Sequence, residues 1–68
     1  MNVGENIRIR RESLGIKQAE LAENVGISQP MLSQIERGTK NPSIQVGRVI
    51  AKCLNCSMDE LCEDIRTA

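Results

Sequence analysis

Three residues, Gly26-Ile27-Ser28, separate two stretches of helical character, and their shortness restricts the fold more than any other feature of the chain. Upstream, Leu21, Ala22 and Val25 recur with a helical period between Gln18 and Val25. Downstream, Leu32 and Ile35 define the apolar side of "SQPMLSQIERG", a helix expected over residues 28–37. With Gly26 free to take a positive φ, so brief a connection turns the chain sharply and sets the second helix across the first. That is helix-turn-helix geometry. The apolar side of the later helix packs on the domain, and its opposite side protrudes far enough to enter a DNA major groove about 12 Å wide.

The protruding side has an unusual makeup. Surface helices commonly fill their outer face with Lys and Glu, whereas this one offers Gln29, Pro30, Ser33, Gln34 and Arg37. A glutamine presents a donor and an acceptor together and can bond adenine at N6 and N7, and a serine can serve either partner. These are base-reading chemistries.

The rest of the chain reads as short helices punctuated by glycine. Asn2 and Glu5 have capping spacing for a first helix over about 3–14, where Val3, Ile7, Arg11 and Leu14 share a face until Gly15 stops it. Ser28 caps the third helix, Gly38 ends it, and "TKNP" forms a polar loop in which Pro42 biases Asn41 away from helical dihedrals. Ser43 restarts the chain, and Ile44, Ile50, Ala51, Cys53 and Leu54 supply the buried side of a fourth helix. Ser57 and Glu60 have capping-box spacing ahead of Leu61, which predicts a fifth. The expectation is a compact all-α fold of five helices without strands: one domain over 1–68, its core about 3–62 and a frayed tail over 63–68.

Composition narrows the function classes. At 68 residues one core is all the chain can bury, and with 40% hydrophobic and 26% charged residues it is too apolar for intrinsic disorder. No apolar run approaches the roughly 18 residues that span a bilayer, and no basic stretch followed by an apolar one opens the chain. A cytoplasmic protein without membrane contact is expected. Without histidine, and without a phosphate-cradling G-x-x-x-x-G-K loop, an enzyme is not expected. The absence of Phe, Trp and Tyr removes the stacking platforms that single-stranded RNA binders use.

From Val3 to about Leu61 the chain resembles the lambda-repressor-like helix-turn-helix proteins, the Cro/C1 or Xre type of bacterial and phage regulator. The resemblance rests on "IRIRRESLGIKQAELAENVGISQPMLSQIERGTKNPS" and "IAKCLNCSMDEL", within which "QAELA", the Gly26 turn, "IERG" and "NPS" stand in order at family spacing. It implies five helices and sequence-specific binding to double-stranded DNA. It also implies transcriptional control, expected here as repression, by a homodimer on a palindromic operator.

Carried onto matching positions, the resemblance assigns Gln29, Ser33 and Gln34 to base reading, with Pro30 and Met31 able to touch a thymine methyl. It places Gln18 where a glutamine bonds a phosphate and buttresses the first residue of the recognition helix. Ser28 doubles as helix cap and phosphate donor. Lys17, Arg10, Arg37, Thr39, Lys40 and Asn41 are candidate backbone contacts, Lys40 and Asn41 foremost because the loop after the recognition helix lies against phosphates. Arg11 and Glu36 match an inter-helix salt bridge, a structural pair. No cofactor, metal or small-molecule ligand is expected.

Some positions depart from the family pattern. Gly47 stands where Ala or Leu is usual, Lys17 replaces a capping Thr, Ser or Asn, Ile9 is apolar off the buried face, and Cys62 takes the place of a larger apolar residue near the surface relatives use to dimerise. Charge is the main complication. Nine basic and nine acidic residues cancel, although residues 57–68 carry Asp59, Glu60, Glu63 and Asp64 against Arg66 and leave the preceding residues positive. The spacing of Cys53, Cys56 and Cys62 admits a thiolate metal or iron-sulfur site, against the plainer reading of small buried thiols. The alternative function is a helical protein-interaction module with the same fold, such as an antitoxin or co-regulator.

Overall fold

The computed structural model describes residues 3–56, which form four α-helices and no strand. They are α1 (Val3–Ser13), α2 (Gln18–Val25), α3 (Gln29–Arg37) and α4 (Ile44–Cys53). The all-α expectation and the first four helices therefore hold, with α1 ending at Ser13. The fifth helix expected around 57–61, the tail, Cys62 and the Asn2 cap lie outside the described residues. No described helix is long and apolar enough to cross a membrane.

One core unites the four helices. Ile7, Leu21, Ala22, Leu32, Ile35, Ile50, Ala51 and Leu54 are buried together, and Val3, Ile16, Val25, Ile27, Met31, Val46, Cys53 and Cys56 pack around them. Helix α3 packs against both α1 and α2, and α2 packs also against α4. With no aromatic residue, the centre is filled by branched aliphatic side chains, each of which contributes roughly 1.5–3 kcal/mol when fully buried.

The four helices end in the same way. In each, a left-handed residue follows one or two positions past the end, Gly15, Gly26, Gly38 or Asn55, and the next backbone N–H reaches back to the carbonyl five residues earlier: Ile16 to Arg11, Ile27 to Ala22, Thr39 to Gln34, Cys56 to Ala51. This Schellman closure satisfies carbonyls that a helix end leaves open. Asn55, at φ 61, takes the role that glycine fills elsewhere. Ile16, Ile27 and Cys56 turn inward onto the core, the apolar contact that usually accompanies this closure. Thr39 is polar and exposed, so the end of α3 is closed by backbone hydrogen bonds without being drawn onto the core.

Two expectations about the core need correction. Leu14, placed on the inner face of the first helix, is 50% exposed, because the chain reverses at Gly15 and Ile16 enters the core instead. Ile44, placed on the buried side of the fourth helix, is 73% exposed. It shares the phase of Gly47 and Ala51 but sits a turn beyond the end of the core. Gly47 is buried in α4, in keeping with close packing, and Ile9 is an exposed apolar residue off the buried face. Gly4, which the sequence pattern did not single out, is also buried. A Cβ there would overlap the Ile35 carbonyl oxygen, so α1 can approach α3 this closely only with glycine at position 4.

Candidate nucleic-acid interface

The turn between α2 and α3 is built as the sequence requires. Gly26 adopts φ 90, and Ser28 is extended, its hydroxyl accepting a hydrogen bond from the Met31 N–H at 3.2 Å. Pro30 lies in the first turn of α3, where its missing N–H removes no intrahelical bond. Lys17 occupies the cap position of α2 without a side-chain hydrogen bond to the helix, as expected of a residue unable to accept one.

Leu32, Ile35 and Glu36 turn inward from α3. At 100° per residue, Gln29, Ser33, Arg37, Pro30 and Gln34 fall within an outward arc of about 140°. Gln29, Pro30, Gln34 and Arg37 are exposed and Ser33 is half-buried. Met31 lies at the edge of this arc and is partly committed to the core. The side chains expected to face a ligand therefore share one rigid surface, with Ser33 and Met31 recessed.

Beneath that surface is a buried ion pair. Arg11 Nε donates to Glu36 Oε2 at 2.8 Å and Nη2 to Glu36 Oε1 at 3.1 Å, a two-point pairing between α1 and α3. Arg11 Nη1 donates to the Ile16 carbonyl at 2.9 Å, tying the pair to the end of α1 as well. The hydrogen bond to Glu36 raises the Arg11 pKa above its usual value, outweighing the opposing effect of burial, and attraction to Glu36 and Glu12 adds to the rise. Both residues are buried and their ionised atoms are partnered, as a low-dielectric environment demands.

Glu36 has another neighbour that the sequence reading did not anticipate. Gln18 Nε2 donates to Glu36 Oε1 at 3.0 Å, and Gln29 Nε2 donates to Gln18 Oε1 at 3.3 Å. A continuous chain thus runs Arg11, Glu36, Gln18, Gln29, from the last turn of α1 to the exposed start of α3. The Gln18–Gln29 contact matches the buttress implied by the family resemblance. The Gln18–Glu36 contact was hidden because the resemblance assigned Glu36 a single partner, although a carboxylate can accept several hydrogen bonds.

Around the rim, Ser28, Thr39, Lys40 and Asn41 are exposed and border the start or end of α3, and Lys17, also exposed, occupies the cap position at the start of α2 next to Gln18. Thr39 Oγ1 and the N–H groups of Thr39 and Lys40 converge on the Gln34 carbonyl, which shapes the loop that carries Lys40 and Asn41. Arg10 is placed differently. It is half-buried, and its Nε donates to the Leu54 carbonyl at 3.3 Å, joining α1 to the end of α4. Cys53 and Cys56 are half-buried thiols packed against the core.

Residues 7–61 match the family described as Helix-turn-helix. The chain belongs to the Cro/C1-type helix-turn-helix family. Among curated relatives of this family, an uncharacterized HTH-type transcriptional regulator of Mycobacterium tuberculosis is 45% identical over 58 residues, 85% of this chain and 41% of that protein. Repressor protein C2 of Salmonella phage P22 is 42% identical over 59 residues, 87% of this chain and 27% of that protein. The chain thus spans less than half the length of these two relatives. The helix-turn-helix fold superposes on the crystal structure of the P22 c2 repressor in complex with a synthetic operator. The TM-score is 0.85 at 41% identity, with 90% of this chain and 92% of that one covered. It is also similar to the structure of SinR, the master regulator for biofilm formation, in complex with DNA. There the TM-score is 0.82 at 36% identity, over 88% of this chain and 97% of that one.

Proposed function

We propose that this helix-turn-helix chain is a transcriptional regulator that binds double-stranded DNA sequence-specifically and represses by occupying its operator, with α3 in the major groove. The observation that carries this reading is the outer face of α3. Amides and a hydroxyl stand there in place of ordinary solvating charges, and one amide, Gln29, is braced by Gln18. Gln29 and Gln34 are the main base readers and Ser33 the next, with Pro30 and the edge of Met31 available to a thymine methyl. Lys17, Gln18, Ser28, Arg37, Thr39, Lys40 and Asn41 border the same face and would contact phosphates, which position the protein without carrying sequence information. Arg10 is left out of this set, since its guanidinium is directed at the Leu54 carbonyl. The operator-bound P22 repressor and the DNA-bound SinR, alike in fold, support the reading.

The balance of charge argues for a dimer. A chain with no net charge gains little from counterion release, the main source of non-specific affinity, so tight binding calls for two subunits on one site. Two copies of α3 would then enter successive major grooves roughly 34 Å apart. The same zero net charge is the observation that favours the second reading, a protein-binding module of identical fold.

A binding selection from random duplexes separates the two. The regulator reading expects recovery of a palindrome whose half-sites are centred about 10–10.5 base pairs apart, lost in Gln34→Ala. Failure of the native protein to enrich any duplex removes it.

A further inference from the structure

We propose that Glu36, a residue buried away from any DNA surface, is a positioning residue for base choice: it fixes the hydrogen-bond polarity of the Gln18–Gln29 pair and so decides which edge Gln29 offers to a base. The proposal rests on the reading of α3 as the DNA-contacting helix.

The argument follows from what each group can donate and accept. A carboxylate is acceptor-only, and Glu36 accepts two hydrogen bonds from Arg11. Gln18 can meet it only through its NH2 group, as the 3.0 Å contact from Nε2 to Oε1 requires. The Gln18 oxygen must then point the other way, where it can only accept. Gln29 meets that oxygen at 3.3 Å, so Gln29 must donate. Each amide has two chemically similar ends, and taken alone the pair could hydrogen-bond in either sense. The buried charge removes one of the two.

The consequence lies at the outer end. With one N–H committed to Gln18, Gln29 keeps its carbonyl oxygen and its second N–H, an acceptor beside a donor. That edge complements adenine, which presents the N7 acceptor and the N6 donor in the major groove. In the reverse polarity the Gln29 oxygen would accept from Gln18 with one lone pair and both N–H groups would be free, so a pair of donors, which the native polarity withholds, could face the base. A pair of donors suits guanine, whose N7 and O6 both accept. Glu36 therefore favours adenine over guanine at the position Gln29 reads, acting through two hydrogen bonds by way of Gln18.

Glu36→Gln places an amide at the start of the chain. An amide can donate or accept, so both polarities become available. The adenine-to-guanine preference should fall by about tenfold, a bidentate contact's worth of discrimination. Arg11→Lys weakens the same ion pair but keeps an acceptor-only carboxylate, so it should lower the melting temperature and leave the preference intact. Gln18→Leu cuts the relay without touching the Arg11–Glu36 pair. It should reduce the preference as Glu36→Gln does, and it provides the result if Glu36→Gln does not fold.

The experiment has two arms. In the free, isotopically labelled protein, NMR should detect a coupling across the hydrogen bond from Gln18 Nε2 to the Glu36 carboxyl carbon. Slowed solvent exchange of the Gln18 side-chain amide should accompany it, and both should be kept in Arg11→Lys. In the second arm, duplexes recovered by selection and carrying A or G at the position where Gln29→Ala removes discrimination are titrated with each variant. An unchanged A-to-G ratio in Glu36→Gln or Gln18→Leu overturns the proposal, and so does an equal loss in Arg11→Lys. Enrichment of no duplex by the native protein would defeat the DNA reading instead. The NMR arm then decides the polarity alone, and a native spectrum without the coupling overturns it.

Discussion

Helices α3 and α4 each begin at a serine whose hydroxyl accepts the backbone N–H three residues on, Ser28 from Met31 and Ser43 from Val46. Each contributes two residues to the core centre, Leu32 and Ile35 from one, Ile50 and Ala51 from the other, and each closes on a left-handed residue. As folded elements they are near equivalents. They differ in what they turn outward and in what they bury besides hydrocarbon. The outer residues of α4 include Ile44, Gln45, Arg48 and Lys52, a mixed solvated face, whereas α3 shows Gln29, Pro30, Gln34 and Arg37 and buries the charge of Glu36. The shared features follow from what any short helix needs in order to end and pack. The differing ones have no such cause, which makes them the better guide to function.

If the buried charge is what sets α3 apart, the two helices should fail by different means. Arg11→Met keeps the side-chain length and removes the guanidinium, leaving Glu36 buried with only Gln18 as a partner. The expected loss is about 3–5 kcal/mol, the range for breaking one side of a buried ion pair, read by urea or thermal unfolding. Helix α4 has no equivalent dependence, and its sensitive substitution is one of volume. Ile50, fully buried, should cost about 2–5 kcal/mol on replacement by Ala. A loss below 1 kcal/mol in Arg11→Met would show the pair to be no stronger than a surface one and would erase the distinction.

The capping serines should behave alike in stability and differently in binding. Ser28→Ala and Ser43→Ala each remove one accepted N–H and should cost about 1 kcal/mol. Only Ser28 borders the proposed DNA face, so only its replacement should also weaken duplex affinity beyond what the lost stability explains. Equal binding losses in the two variants would mean that the start of α3 has no contact the start of α4 lacks.

How much of this was legible beforehand depended on whether the cause was local. Ser28, Ser43, Gly26 and Gly38 are written into the sequence because capping and left-handed closure are decided within about four residues. The inward turn of Leu32 and Ile35 follows from periodicity alone. Ile44 misled because periodicity gives the direction of a side chain and not the point along the helix where the core ends. Gly4 was overlooked because its reason, the Ile35 carbonyl, is more than thirty residues away. For the candidate site, the outward set on α3 was readable from helical spacing. The Gln18–Glu36 link was not, since it joins the start of one helix to the last turn of another, and Arg10 looked like any surface arginine until the end of α4 was placed beside it.

The smallest expected effect is also the cleanest comparison of the two helices. Lys40 follows the end of α3 and Lys52 lies in the last turn of α4, and both are exposed. Replacing either by Gln removes one charge from solvent, and each should change stability by less than about 0.5 kcal/mol. Their influence on DNA should nevertheless diverge, because a lysine that neutralises a phosphate releases a counterion and one facing bulk water does not. Log affinity against log salt has a slope of about −0.9 per phosphate contact. Lys40→Gln should therefore flatten that slope by about 1 and weaken binding similarly for every sequence, while Lys52→Gln leaves it unchanged. The slope compares the protein with itself across salt and so is insensitive to the amount of active protein. If both substitutions flattened it equally, phosphates would be reaching α4 as well, and the docking face would have to be redrawn to include the outer side of that helix.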